Sequence, residues 1–404
     1  MAAFYSPSRS YASGYQRHKS RSNAYILSIA KWALKIITGA SITTSTILAL
    51  QLAWIILKTP RLPPPPLSGV DFVRRGRVVK VGDDDVSDDD VEHDLCSTSN
   101  VMSNGKGGRE FRLVLIGDSP VEGIGNKHHK HALSGQTAIA FAKSLCPKKF
   151  DCVRYWSFGK SGLTARGIQD EMVPFLHRVS DDLRYRSETN HDDHVSTPTI
   201  HAIVLLCGVN NVLDPLSSPT SFHLEVHNLL LSIRNHSDLE KTPLTVLGLP
   251  DFSKLPFLPW PLSFALGFRG RKMQQMLHMA VKEYQMKEEK LHNNKQHGKG
   301  RTIMVNIPEV QQILGSIGYH RHDSCSDTDD KSSHVQNDTL EMKLYHPLMK
   351  YLGNRLDHSQ LGSLGMHNFL ADDGFHPARW GTVYIGALIS EAYRTCVSNL
   401  KLFI

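Results

Sequence analysis

Five short apolar runs constrain this chain more than any other feature: Phe111–Ile116, Cys152–Trp156, His201–Cys207, Leu244–Leu249 and Thr302–Ile307. Each is strand-length and rich in Val, Ile, Leu or aromatic residues. Segments of helical spacing separate them, among them Thr137–Leu145 and the stretch from Phe222 to Ile233. Runs without polar alternation are buried on both faces, and strands that alternate with helices form a parallel sheet covered by helices on both sides. Residues Thr382 to Cys396 read as a closing helix. The expectation is one α/β domain over residues 111–398.

Three polar stretches interrupt that pattern, near 180–198, 287–301 and 320–339. They are rich in His, Asp, Lys, Ser and Asn and cannot supply a core, so they read as surface insertions. Their histidines, and His128, His129 and His131, show no repeated ligand spacing. No metal or cofactor is expected.

The remainder of the 404 residues precedes the domain. No Asp or Glu occurs before Asp71, so much of the net charge of +7 belongs to a basic arm over residues 1–35. No nucleic-acid motif accompanies it, and nucleic acid is not an expected partner. Residues 36–57 carry no formal charge, lie between Lys35 and Lys58, and match the ~20 residues a bilayer-spanning helix needs. Trp54 suits the interface, and the hydroxyls of Thr38, Ser41 and Thr43 to Thr46 can bond back to helix carbonyls. The expectation is a single-pass membrane anchor with the domain on one side, the lumenal or extracellular side being favoured. The alternative is an organelle-targeting leader, because the start is acid-free and rich in Arg and Ser. Residues 58–110 read as a linker, with Pro60 and Pro63–Pro66 followed by the aspartates 83–85 and 88–90. The six cysteines form no CxxC pair; Cys146 and Cys152 flank a short turn and could pair in an oxidising compartment, while Cys207 falls in a buried strand.

Four blocks carry the chemistry. Gly117-Asp118-Ser119 ends the first strand, and Ser157-Phe-Gly-Lys-Ser-Gly162-Leu-Thr164 follows the second. Gly208-Val-Asn210-Asn211 follows the third, and Asp373-Gly-Phe-His376-Pro377 precedes the last helix. In a parallel sheet the first three share one edge, where ligands bind. Acyl transfer needs a nucleophile, a base and an orienting partner for that base, which Ser119, His376 and Asp373 supply. It also needs donors for the tetrahedral oxyanion, which the amides of Ser119 and Gly162 and the side chain of Asn210 supply. Each residue alone has a plainer reading: Ser119 as a helix cap, Asn210 in an Asx-turn, His376 as a loop residue. No Gly-x-Ser-x-Gly occurs, which removes the nucleophile elbow of α/β-hydrolases.

Together and in this order, the blocks resemble the SGNH hydrolases, also called the GDSL esterase/lipase family. The resemblance implies a flavodoxin-like three-layer α/β/α sandwich with five parallel strands. It implies an ester hydrolase with Ser119 as nucleophile, His376 as base then acid, and Asp373 as its orienter. Ser119, Gly162 and Asn210 would form the oxyanion hole. Two positions depart from the family pattern: Asn211 stands where Asp is usual, and Ser157 where Asn is frequent.

A further apolar stretch, Pro250 to Phe268, reads as a proline-stiffened loop that either packs under the last helices or forms a wall for an acyl chain or a surface dipping into lipid. With the anchor, it favours lipid-like or small esters as substrate. An acyltransferase on the same triad and a non-catalytic binding module remain as alternatives.

Overall fold

The computed structural model describes residues 77–80, 109–126, 128–144, 150–189, 200–255, 258–292, 302–307, 370–371 and 376–400, with isolated positions 43, 46, 47, 50, 51 and 62. The chain divides into two units, Met1–Thr59 and Pro60–Ile404. In the first, Thr43, Thr46, Ile47, Leu50 and Gln51 are helical, and the rest of the 36–57 stretch lies outside the described residues. No helix among the described residues is long and apolar enough to cross a membrane.

The second unit is built on a six-stranded sheet of order β1-β3-β2-β4-β5-β6. The strands are β1 (Arg77–Lys80), β2 (Glu110–Gly117), β3 (Cys152–Gly159), β4 (Ala202–Leu206), β5 (Leu244–Leu247) and β6 (Thr302–Val305). All five apolar runs form strands, and these five pair in parallel. Their order places the first strand between the second and third, the doubly wound arrangement whose ligand edge lies at the strand C-termini.

The sixth strand corrects the linker expectation. Arg77–Lys80 lies inside the 58–110 stretch, yet it pairs antiparallel with β3, Arg77 opposite Tyr155 and Lys80 opposite Cys152. Arg-Val-Val-Lys is short and flanked by charge, the character of an edge strand, and it is too brief to announce itself by periodicity.

The helices are α1 (Ser119–Glu122), α2 (Leu133–Ser144), α3 (Ala165–Glu171), α4 (Val173–Thr189), α5 (Val209–Leu213), α6 (Pro219–Arg234), α7 (Leu262–His292) and α8 (Arg379–Leu400). Phe111, Leu113 and Leu115 point to one side of β2 and pack with Phe141 of α2 and Ile389 and Tyr393 of α8. The alternate residues Val114 and Ile116 are equally buried and face the opposite helical layer. Gly386 lets α8 close on α2, since a Cβ there would sit 2.9 Å from the Thr137 amide nitrogen.

Two expected insertions are partly helical. Residues 180–189 continue α4, because Leu176, Val179 and Leu183 extend its buried stripe through the polar surface. Residues 287–292 continue α7, where Glu288 reaches Arg234 and Thr302. Residues 190–199, 293–301 and the 320–339 insertion lie outside the described residues. The Pro250–Phe268 stretch is likewise only partly loop: α7 starts at Leu262, directly after Pro261, while Phe252, Leu258 and Leu262 are buried. Cys152 carries a free thiol rather than a bridge to Cys146, a residue outside those described; Cys207 is free and buried.

Candidate active site

Ser119 stands at the C-terminal end of β2, on the first residue of the four-residue α1. Close packing of backbones holds that short helix in place. A Cβ on Gly159 would lie 2.2 Å from the Glu122 nitrogen, and one on Gly117 would lie 2.5 Å from the Leu206 carbonyl oxygen. Ser157 donates its hydroxyl to the Val121 carbonyl oxygen at 2.6 Å, tying α1 to β3. The unusual Ser157 therefore has a defined structural task. Gly123 closes α1 at φ 94°.

Gly162 lies in the turn after β3, exposed, at φ 84°, with nothing within 4 Å of where a Cβ would be. That positive φ suits glycine, and the open space leaves its amide approachable. Neither the Ser119 nor the Gly162 N–H has an acceptor among the described residues.

Asn210, on α5 just after β4, joins three of the four blocks. Its Nδ2 donates to the Leu163 carbonyl at 3.0 Å and to Asp118 Oδ2 at 3.3 Å. One side chain thus touches the residue before Ser119 and the residue after Gly162. Asp118 is fully buried, and burial pushes its carboxyl up to about 7, against the lowering effect of its own backbone N–H. Its Oδ1 has no partner among the described residues.

Asn211 is fully buried and fully engaged. Its Oδ1 accepts from the Ala165 N–H at 2.9 Å, and its Nδ2 donates to Ser217 Oγ at 3.0 Å and to Glu225 Oε2 at 2.9 Å. An amide is required there, since a carboxylate could accept from Ala165 but would oppose Glu225. Arg269 of α7 secures the same loop, donating Nε to the Val212 carbonyl at 2.7 Å and Nη2 to the carbonyls of Asn211, Asp214 and Ser217.

His376 is brought in by α8. Thr382, near the start of that helix, donates to the His131 carbonyl at 2.8 Å, docking it on the α1–α2 connection. The Ala371 N–H donates to the His376 carbonyl at 2.8 Å, and Leu370 pairs with Pro377. The result places His376 Cβ 3.7 Å from the Cβ position of Gly125, in the segment that follows Ser119; Leu62 meets the same position at 3.1 Å. Asp373 lies outside the described residues.

The structure therefore assembles Ser119, Gly162 and Asn210 at one sheet edge and carries His376 to the segment after Ser119. A family model described as GDSL-like lipase/acylhydrolase matches residues 113–389, which contain every block. The chain belongs to that family. Among solved structures, similar chains include a GDSL-like lipase from Bacteroides ovatus, at 14% identity and TM-score 0.33. That match covers 72% of this chain and 54% of the other, so this GDSL-family chain spans about half of that relative. A GDSL-like lipase from Bacteroides thetaiotaomicron shows 14% identity and TM-score 0.32, covering 70% of this chain and 88% of its own. A family 3 carbohydrate esterase from Talaromyces cellulolyticus shows 10% identity and TM-score 0.35, covering 72% and 99%. No curated protein matches the sequence.

Four residues of the GDSL site were not singled out as supports in the sequence: Asp118 for its burial, Glu225, Arg269 and Ser157. Glu225 left a faint signal, being the only acid in the α6 sequence.

Proposed function

We propose that this GDSL-family protein is a serine-dependent carboxylic ester hydrolase. The observation that carries this reading is Asn210, whose amide links Asp118, beside Ser119, to Leu163, beside Gly162. Ser119 attacks the ester carbonyl while His376 takes the hydroxyl proton, with Asp373 orienting the imidazole. Negative charge gathers on the carbonyl oxygen, for which the Ser119 and Gly162 N–H groups and Asn210 Nδ2 are the donors in this reading. The 3.3 Å contact to Asp118 is the longer of the two Asn210 makes, and it is the one the oxyanion replaces. His376 then protonates the leaving alcohol, and the acyl-enzyme is hydrolysed by water activated in the same way.

The substrate class favoured by the apolar residues around Trp260 is a lipid-like or small ester, and residues 36–57 tether the enzyme to a membrane. The test is turnover of p-nitrophenyl esters from acetate to palmitate by the full-length chain, beside Ser119→Ala and Asn210→Ala. Turnover should vanish with Ser119→Ala. Asn210→Ala should lower kcat by roughly 100-fold or more with little change in KM, the scale of losing one oxyanion donor. An intact rate in Ser119→Ala overturns the proposal. Adding acceptor alcohols to the same assay separates hydrolysis from acyl transfer.

A further inference from the structure

The solvent side of α7 differs from an ordinary exposed helix face. Phe264, Phe268, Arg271, Met279, Lys282 and Met286 fall on one stripe, separated by steps of three and four residues or their sums, and all are exposed. They lie opposite Met273, Leu277 and Val281, which are buried. Trp260 precedes the stripe in the loop leaving β5, at the same sheet edge as Ser119. Exposure is 78% for Trp260, 64% for Phe264 and 55% for Phe268. Up to Lys282 the charge is one-sided too, with Glu283 following it and reaching His223. From Phe252 to Lys282 there is no Asp or Glu, while Lys254, Lys272 and Lys282 are exposed. Arg271 is half-exposed and reaches Asp251 at 3.7 Å.

We propose that this face of α7 rests on an anionic phospholipid surface. From Phe264 to Met286 the stripe runs about 33 Å at 1.5 Å per residue, an extended surface of the kind a plane of lipid headgroups can cover. Aromatic rings settle at the headgroup level, and the lysines beside them are drawn to anionic lipid. A second copy of the chain is a poorer occupant, because two such stripes would set Lys272 and Lys282 against their own kind. The inference stands on the surface alone and holds whether or not Ser119 acts as a nucleophile.

The test uses the full-length chain with Phe268→benzoylphenylalanine, a photoreactive ring of similar shape at an exposed site, and vesicles of phosphatidylcholine with or without phosphatidylserine. Tyr185→benzoylphenylalanine, exposed on α4, is the control, and unchanged melting temperatures report that both variants fold. Lipid adducts at position 268 should exceed those at 185 by roughly tenfold and should require phosphatidylserine. Adding Lys272→Glu and Lys282→Glu should reduce them about tenfold. A membrane anchor elsewhere in the chain cannot produce this pattern, because the readout is local. Equal labelling at 268 and 185, labelling indifferent to phosphatidylserine or to the two charge reversals, or adducts to a second protein chain each overturn the proposal.

Discussion

At the scale of single residues, the site depends on hydrogen-bond polarity. Asn211 accepts from Ala165 on one side and donates to Glu225 on the other, so Asn211→Asp places two carboxyl groups where a 2.9 Å hydrogen bond now stands. We expect Asn211→Asp to cost about 3 kcal/mol or more of stability, the scale of an uncompensated buried charge, and to lower kcat as the Ala165 and Asn210 segments shift. Adding Glu225→Gln should restore most of both, as read by urea unfolding and by ester turnover. No rescue would mean that the pair does not set the polarity of this bond. Asp118 makes a different prediction. Burial raises its folded pKa to about 7, above the ordinary carboxyl value of 3.8, so the folded state holds the proton more tightly. Its contribution is intact below pH 4 and drains away as pH rises to 7, levelling beyond. Wild type should therefore lose stability relative to Asp118→Asn across that window, by about 1.4 kcal/mol for each unit of pKa difference. Equal slopes for the two proteins would refute the assignment. Sequence reading singled out Ser119, Gly162 and Asn210 because each follows the end of an apolar run, and His376 because it stands three residues after Asp373 ahead of the last helix. It could not see Asp118 as buried or Glu225 as a partner, since those facts come from residues distant in the chain meeting across the sheet.

Between elements, contacts a single methyl would break hold the site. Gly159 passes so close to α1 that a Cβ would overlap the Glu122 nitrogen. Gly159→Ala should cost about 1–3 kcal/mol or more through forced backbone movement and should misplace Ser119. A melting curve unchanged from wild type would show that the strand and α1 are less tightly apposed. Arg269 is the second such device, a guanidinium shared by four carbonyls at the end of α5 and the loop beyond. Lysine carries the charge but cannot span that fork. Arg269→Lys should thus lower kcat more than it raises KM, because the Asn210 segment loosens without removal of any substrate contact. All five parallel strands were legible from apolar run length, and α2, α6 and α8 from periodicity. The polar ends of α4 and α7 were not, because their outer faces carry the composition of a loop while Leu183 and Tyr284 still face the core.

For the molecule as a whole, the folded α/β unit starts earlier than its recognisable sequence. β1 covers the outer edge of β3, and Leu62 packs at Gly125 beside His376. A chain beginning at Pro60 should therefore be more soluble and more stable than one beginning at residue 100, which leaves the β3 edge unpaired and open to association. Light scattering and thermal melts of the two would decide it; equal behaviour would make β1 dispensable. The same strand bears on what a protease would accomplish. The aspartate-rich sequence between Lys80 and Arg109 lies between β1 and β2, and a single cut there would not free the N-terminal arm at once. The arm would still be held by a ladder of four residues, a grip that loosens and re-forms. Release of the α/β unit would then be a two-step event, cleavage followed by strand release.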